Sequence, residues 1–166
     1  MDIQELISQG EHQQQDFKYC ISSVSKIAHS LSAFSNTDGG RLLVGVRDNG
    51  RIAGVSSEEE IYMIDAAAKS FCSPSVECEM QTITAEGHNV LVVTIPPSSN
   101  RPIRAREEDG KYCAYIRIND ENVIASPRSF SFVGNGERSW RGFQTRLLRL
   151  RVEMSAFDSQ RRNYLE

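Results

Sequence analysis

A chain of 166 residues with 39% apolar content is long enough for one domain with a real core. Its net charge of −3 argues against a protein that coats nucleic acid over its whole surface. The opening MDIQELISQGEHQQQ is polar and lacks the apolar stretch of a secretory leader, and no apolar run elsewhere reaches membrane-spanning length. The expectation is a soluble, cytoplasmic protein without a membrane partner. The charge is also uneven: residues 1–127 hold 11 basic and 18 acidic side chains, whereas 128–166 hold eight arginines and four acids. A nucleic-acid surface on the body has to be local.

Residues 2–9 read as a short helix, with Ile3, Leu6 and Ile7 at helical spacing and Gly10 as its stop. DFKYC (16–20) reads as a short strand. A helix follows over about 23–36, where Val24, Ile27, Ala28, Leu31 and Phe34 form one apolar face, and Asn36-Thr37-Asp38-Gly39-Gly40 closes it. RLLVGV is then an apolar strand turned by Asp48-Asn49-Gly50 into a second strand, RIAGV. The glycines come after a helix and before a strand. A nucleotide cradle needs the reverse order, strand, glycines, helix, so that amide N–H groups face the phosphate, and it is rejected here.

A third helix is expected over 58–71, capped by Ser56 or Ser57 and stopped before Ser73-Pro74. VECEMQTITAEG and HNVLVVTIP form a hairpin about Gly87, PPSSNRPIRAREEDG is a link with turn chemistry, and YCAYIRI (112–118) is a strong strand. The tail divides into a linker, 128–139, and an arginine-rich amphipathic helix within 140–166, whose stripe of Phe143, Leu147, Leu150, Met154 and Phe157 needs a partner surface. The fold class is α+β: a mixed, largely antiparallel sheet with helices packed on it, plus the C-terminal helix. Cys20, Cys72, Cys78 and Cys113 and the three histidines lack zinc-site spacing, and the cysteines read as small apolar residues.

The order GEHQQQDFK, AFSNTDGGRLLVGVRDNGRIAGV, VLVVTIPPSSNRPI, YIRINDENVIAS resembles the Schlafen AlbA-like domain over about residues 5–127. That family is credited with DNA binding in bacterial regulators and is related to the nuclease core of animal Schlafens. Two departures stand out. Asp16 replaces the family's common glutamate, keeping the charge with one methylene less reach, and Asn119-Asp120 stands where a Gly-Ser pair is frequent.

The resemblance implies a nucleic-acid-binding module, regulatory or defence-related; together with the tail, which lies outside it, the domain limits are 1–127, 128–139 and 140–166. It also implies an alternative, a metal-dependent endoribonuclease acting on structured RNA. Its three carboxylates match Glu11, Asp16 and Asp48, with Lys18 beside the scissile phosphate. Hard oxygen ligands of this kind suit Mg²⁺ or Mn²⁺, and no other cofactor is expected. Equally, Asp48 is a favoured turn residue, and Glu11 and Asp16 are ordinary acids beside a strand.

For binding, Arg101, Arg104, Arg106, Lys111 and Arg117 are the candidate phosphate contacts, though Glu107, Glu108 and Asp109 interleave them. Base stacking has no sequence support beyond Tyr112 and Tyr115. A third reading makes the tail helix the seam of a homodimer, by analogy with the two-lobed clamp of animal Schlafens.

Overall fold

The computed structural model of this chain describes residues 1–125, which form one compact unit, Met1–Ala125. The linker, the tail helix and the homodimer seam expected beyond it lie outside the described residues. In chain order the elements are α1 (Ile3–Ser8), β1 (Gln15–Lys18), α2 (Val24–Ser35), β2 (Gly40–Val44), α3 (Ser57–Ser70), β3 (Cys72–Ser73), β4 (Glu79–Ala85), β5 (His88–Ile95), β6 (Arg104–Arg106), β7 (Tyr112–Ile118) and β8 (Glu121–Ile124).

Apolar residues on both faces of β2 and β5 place these strands inside a layered structure. Leu42 pairs with Val93 and Val44 with Leu91, facing one core, while Leu43 pairs with Val92 and faces another. Sheet order is β1-β2-β5-β4, with β1 parallel to β2 and the remaining neighbours antiparallel. A second, antiparallel sheet runs β3-β6-β7-β8. The larger core joins Leu42, Val44, Leu91 and Val93 of the first sheet to Ile103, Ala105 and Tyr115 of the second. Ile27, Leu31 and Phe34 of α2 and Ile64 and Ala67 of α3 belong to the same core. A smaller core sets Ile3 and Leu6 of α1 on Phe17, Leu43, Val90 and Val92.

Helix ends follow local chemistry. The Asp2 carboxylate accepts from Gln4 N–H at 2.9 Å, and Ser23 Oγ from Lys26 N–H at 3.3 Å. Past α2, Gly39 takes φ +69 and donates to Phe34 O at 2.9 Å. Any side chain at Gly40 would collide with the Phe34 ring and Gln14 O, both within 2.7 Å of its Cβ.

The structure departs from the sequence expectation at several points, among them the short strands β3 and β8. RIAGV is not a strand: it holds β2's continuation only through the Val46–Ile52 bridge, because Ala53 and Gly54 turn their N–H groups onto Gly45 O. The link 96–110 contains a strand, β6, which is too short to show periodicity. The strands also divide into two sheets, and polar side chains of α2 and its C-cap bind the second: Ser25 Oγ donates to Arg106 O of β6 and Asn36 Nδ2 to Tyr115 O of β7. At the β7–β8 turn Asn119 has φ +56, a conformation glycine takes freely and asparagine tolerates, which accounts for asparagine where the family often has glycine.

Candidate nucleic-acid interface

Glu11 and Asp16 meet at β1, an edge strand. Glu11 Oε1 accepts the Phe17 N–H at 3.0 Å, satisfying an amide that no neighbouring strand reaches. Burial raises the Glu11 pKa, as do its hydrogen bond with the Asp16 carboxyl and repulsion from Asp16 and Asp48; the Phe17 amide opposes the rise. Asp16 is buried, with Oδ2 2.8 Å from Lys18 Nζ and Oδ1 3.5 Å from Arg117 Nη2. Asp48 stands in solvent in the turn closed by Gly50 N–H on Arg47 O.

The three acids therefore sense one another without converging. Among the described residues no three His, Cys, Asp or Glu side chains group as metal ligands. With Asp16 held by two cations and Asp48 outside, these residues as placed do not fit a divalent ion.

Arg117 corrects the sequence reading. It is 1% exposed, so it cannot track a phosphate backbone. Its guanidinium donates to Asn122 Oδ1, His12 O and Gln15 O at 3.0–3.2 Å and lies 4.8 Å from the Phe34 ring centroid. Arg117 is an internal strut that joins β7 to the chain before β1 and faces Asp16.

The SNTDGG run that dominates the family pattern is internal as well. Asn36 Nδ2 donates to Ile103 O and Tyr115 O, each at 2.8 Å, and Asn36 Oδ1 accepts Ile103 N–H at 2.7 Å. Ser32 Oγ donates to Ile103 O and accepts Tyr115 N–H, while Thr37 Oγ1 accepts Arg117 N–H at 2.9 Å. Gln15, fully buried, does the same at the other end, donating to Leu6 O and Gly10 O while accepting from Arg41 Nε.

The remaining candidate cations separate into two kinds. Arg101 donates to Ser35 O and Thr37 O at 3.3 and 2.7 Å, tying down the carbonyl end of α2. Lys111 is exposed and 3.6 Å from the Asp109 carboxylate. Arg104 and Arg106 are exposed on one side of β6, opposite buried Ala105, and have no carboxylate partner among the described residues. Tyr112, directly across from Arg106, is 46% exposed, whereas Tyr115 is buried. The Tyr115 hydroxyl donates to Glu107, and burial together with that contact pushes its pKa up.

A basic groove went unread in the sequence. About 510 Å³ in volume, it lies between Tyr19, just past β1, the turn carrying Arg47, Asn49 and Arg51, and His88 at the start of β5. The Arg47 guanidinium sits 4.4 Å from the Tyr19 ring centroid. The signal was the symmetric pair of arginines in RDNGR, masked by a turn motif that explains the same letters. A second cavity of about 270 Å³ lies between Lys18, Lys26, His29 and Asn122, where Glu107 already engages His29 at 3.1 Å. Of the four cysteines, all free, Cys72 is buried, Cys78 and Cys113 are half-buried and Cys20 is exposed; burial and the Cys78 thiol push the Cys72 pKa to about 12, and Cys20 departs from the reading of the cysteines as small apolar residues.

The described residues thus form an α+β domain with basic side chains on two separate parts of its rim. The chain belongs to the Schlafen AlbA_2 family, which it matches over residues 11–126. Membership places it among nucleic-acid-related domains. No curated protein matches it. Among the solved structures that share the fold are two examples. The N-terminal domain of a RecG-related protein from Nitrosomonas europaea is 23% identical over 70% of this chain and 88% of that one, with a TM-score of 0.56. The DIP2311 protein from Corynebacterium diphtheriae is 21% identical over 73% of this chain, with a TM-score of 0.52, and this chain covers 23% of it. No helix among the described residues is long and apolar enough to cross a membrane.

Proposed function

We propose that this domain binds nucleic acid mainly through phosphate contacts and acts in regulation or defence. The observation that carries the reading is the Arg104–Arg106 pair: two exposed arginines whose backbones are about 7 Å apart along one strand, with no carboxylate partner among the described residues, in a domain of this family. Such a pair suits neighbouring phosphates and carries no base information. The solved neighbour from Nitrosomonas europaea is described as related to a DNA helicase, which agrees with this reading.

The test is binding of duplex DNA and structured RNA to the full chain across a salt series. Affinity should fall steeply with salt, and Arg104→Ala/Arg106→Ala should lower the logarithmic slope on duplex DNA by about 1.8. An unchanged slope removes the pair from the interface. No binding at about 50 mM salt removes the function.

The alternative that the family resemblance offers, a metal-dependent endoribonuclease, has less support here, because Asp16 faces Lys18 and Arg117 and Asp48 is exposed. Incubation of structured RNA with Mn²⁺, beside chelator and Asp48→Ala controls, tests it. Intact RNA, or cleavage that survives both controls, counts against it.

A further inference from the structure

We propose that the groove beside the 47–51 turn takes a nucleobase of a single-stranded nucleic acid against Tyr19, with Arg47 and Arg51 on the adjoining phosphates. This deepens the nucleic-acid reading and rests on it.

Three separate elements converge there, as a ligand site requires and a solvated loop does not. Tyr19 leaves the end of β1 51% exposed and lines the groove. The Arg47 guanidinium lies over one face of the ring in a cation–π contact, which holds the ring before any ligand arrives and leaves its exposed remainder for a base to meet. Arg47 N–H donates to Arg51 O at 2.9 Å, and paired residues across such a turn project to the same side. Neither arginine has a carboxylate partner among the described residues. The turn's one acid, Asp48, is exposed, and the turn keeps a net positive charge. The far wall is fixed by close packing: a Cβ on Gly54, at φ +78, would fall 2.8 Å from His88 Cβ.

The chemistry selects the ligand. A ring flanked by guanidiniums binds a flat base through its face and phosphates through charge. In a duplex the base faces are already stacked on one another, so the platform has use only for an unpaired base. The groove is also distinct from Arg104 and Arg106, which stand on the other sheet.

The experiment is fluorescence anisotropy of a labelled oligonucleotide of about twelve nucleotides, single-stranded or annealed, with the full chain over a salt series. Tyr19→Ala should weaken single-strand binding about 5- to 100-fold with an unchanged salt slope, and Tyr19→Phe should restore it. Arg47→Ala/Arg51→Ala should lower the single-strand slope by about 1.4. Circular dichroism and thermal melting check that each variant folds.

If the native chain binds neither form at low salt, the nucleic-acid reading falls and this proposal with it. If the native chain binds and Tyr19→Ala matches it on single strands, only the groove proposal falls. Competition by a mononucleotide as effective as by the oligonucleotide also overturns it, because the second phosphate contact then contributes nothing.

Discussion

The carbonyl end of α2 and the turn at 47–51 are both polar, both punctuated by glycine and adjacent in sequence, yet they do opposite work. At the first, Ser32, Asn36 and Thr37 are buried and each of their side chains meets the backbone of the second sheet. At the second, Arg47, Asp48, Asn49 and Arg51 face solvent, and the guanidiniums lack carboxylate partners among the described residues. Buried polar groups are held by the penalty of leaving a partner unsatisfied, so the first region specifies architecture. Exposed cations keep their charge available to a ligand, as the base site proposed at the second region requires. The part of the chain that most resembles its family is therefore mainly a structural latch.

The largest expected break in this contrast is Arg117→Ala. It removes the strut and leaves Asp16 buried with Lys18 alone, at a cost of about 4 kcal/mol in urea unfolding. Were Arg117 a phosphate ligand instead, the variant would keep its stability and lose affinity. Asn36→Ala comes next, at about 3 kcal/mol, since Ile103 N–H and Tyr115 O lose a buried partner. A change below about 0.5 kcal/mol there would mean the latch does not hold the second sheet.

Arg47→Ala/Arg51→Ala sharpens the comparison from the other side. Stability should move by no more than about 0.5 kcal/mol while binding weakens, and a large drop in melting temperature would show the turn to be structural.

The smallest effect belongs to Glu11→Gln. The folded chain raises the Glu11 pKa above its ordinary 4.5, so the folded state holds this proton more tightly than the unfolded state does. Stability then declines as pH rises through that range. The amide should stabilise the domain at pH 7, keep the Phe17 contact through its carbonyl, and lose its advantage as pH falls below about 4.5. Equal melting temperatures at both pH values would show that the raised pKa has no energetic weight.

The helices were legible because their apolar spacing and caps are local: Val24, Ile27, Leu31 and Phe34 repeat on one face, and Ser23 caps. The same is true of β5 and β7, where apolar and β-branched runs exceed five residues. β6 was hidden because three residues carry no period, and β8 because its partner is defined across a turn at Asn119.

Site residues divided along the same line. Arg104 and Arg106 were readable as cations, and alternation about Ala105 leaves them outside. Arg117, in an equally regular strand, went inside because Asp16, His12 O and Gln15 O form a polar seat that lies about a hundred residues away in sequence.

By itself the sequence determined the α+β class, the positions of three helices and the longest strands, the rejection of a nucleotide cradle and the family pattern. Each of these depends on neighbours within a few residues. Tertiary structure alone decided that the strands form two sheets, that the polar run closing α2 is a latch, and that Tyr19, the two turn arginines and His88 share one groove. Burial and convergence are set by residues far apart along the chain, and no local spacing encodes them.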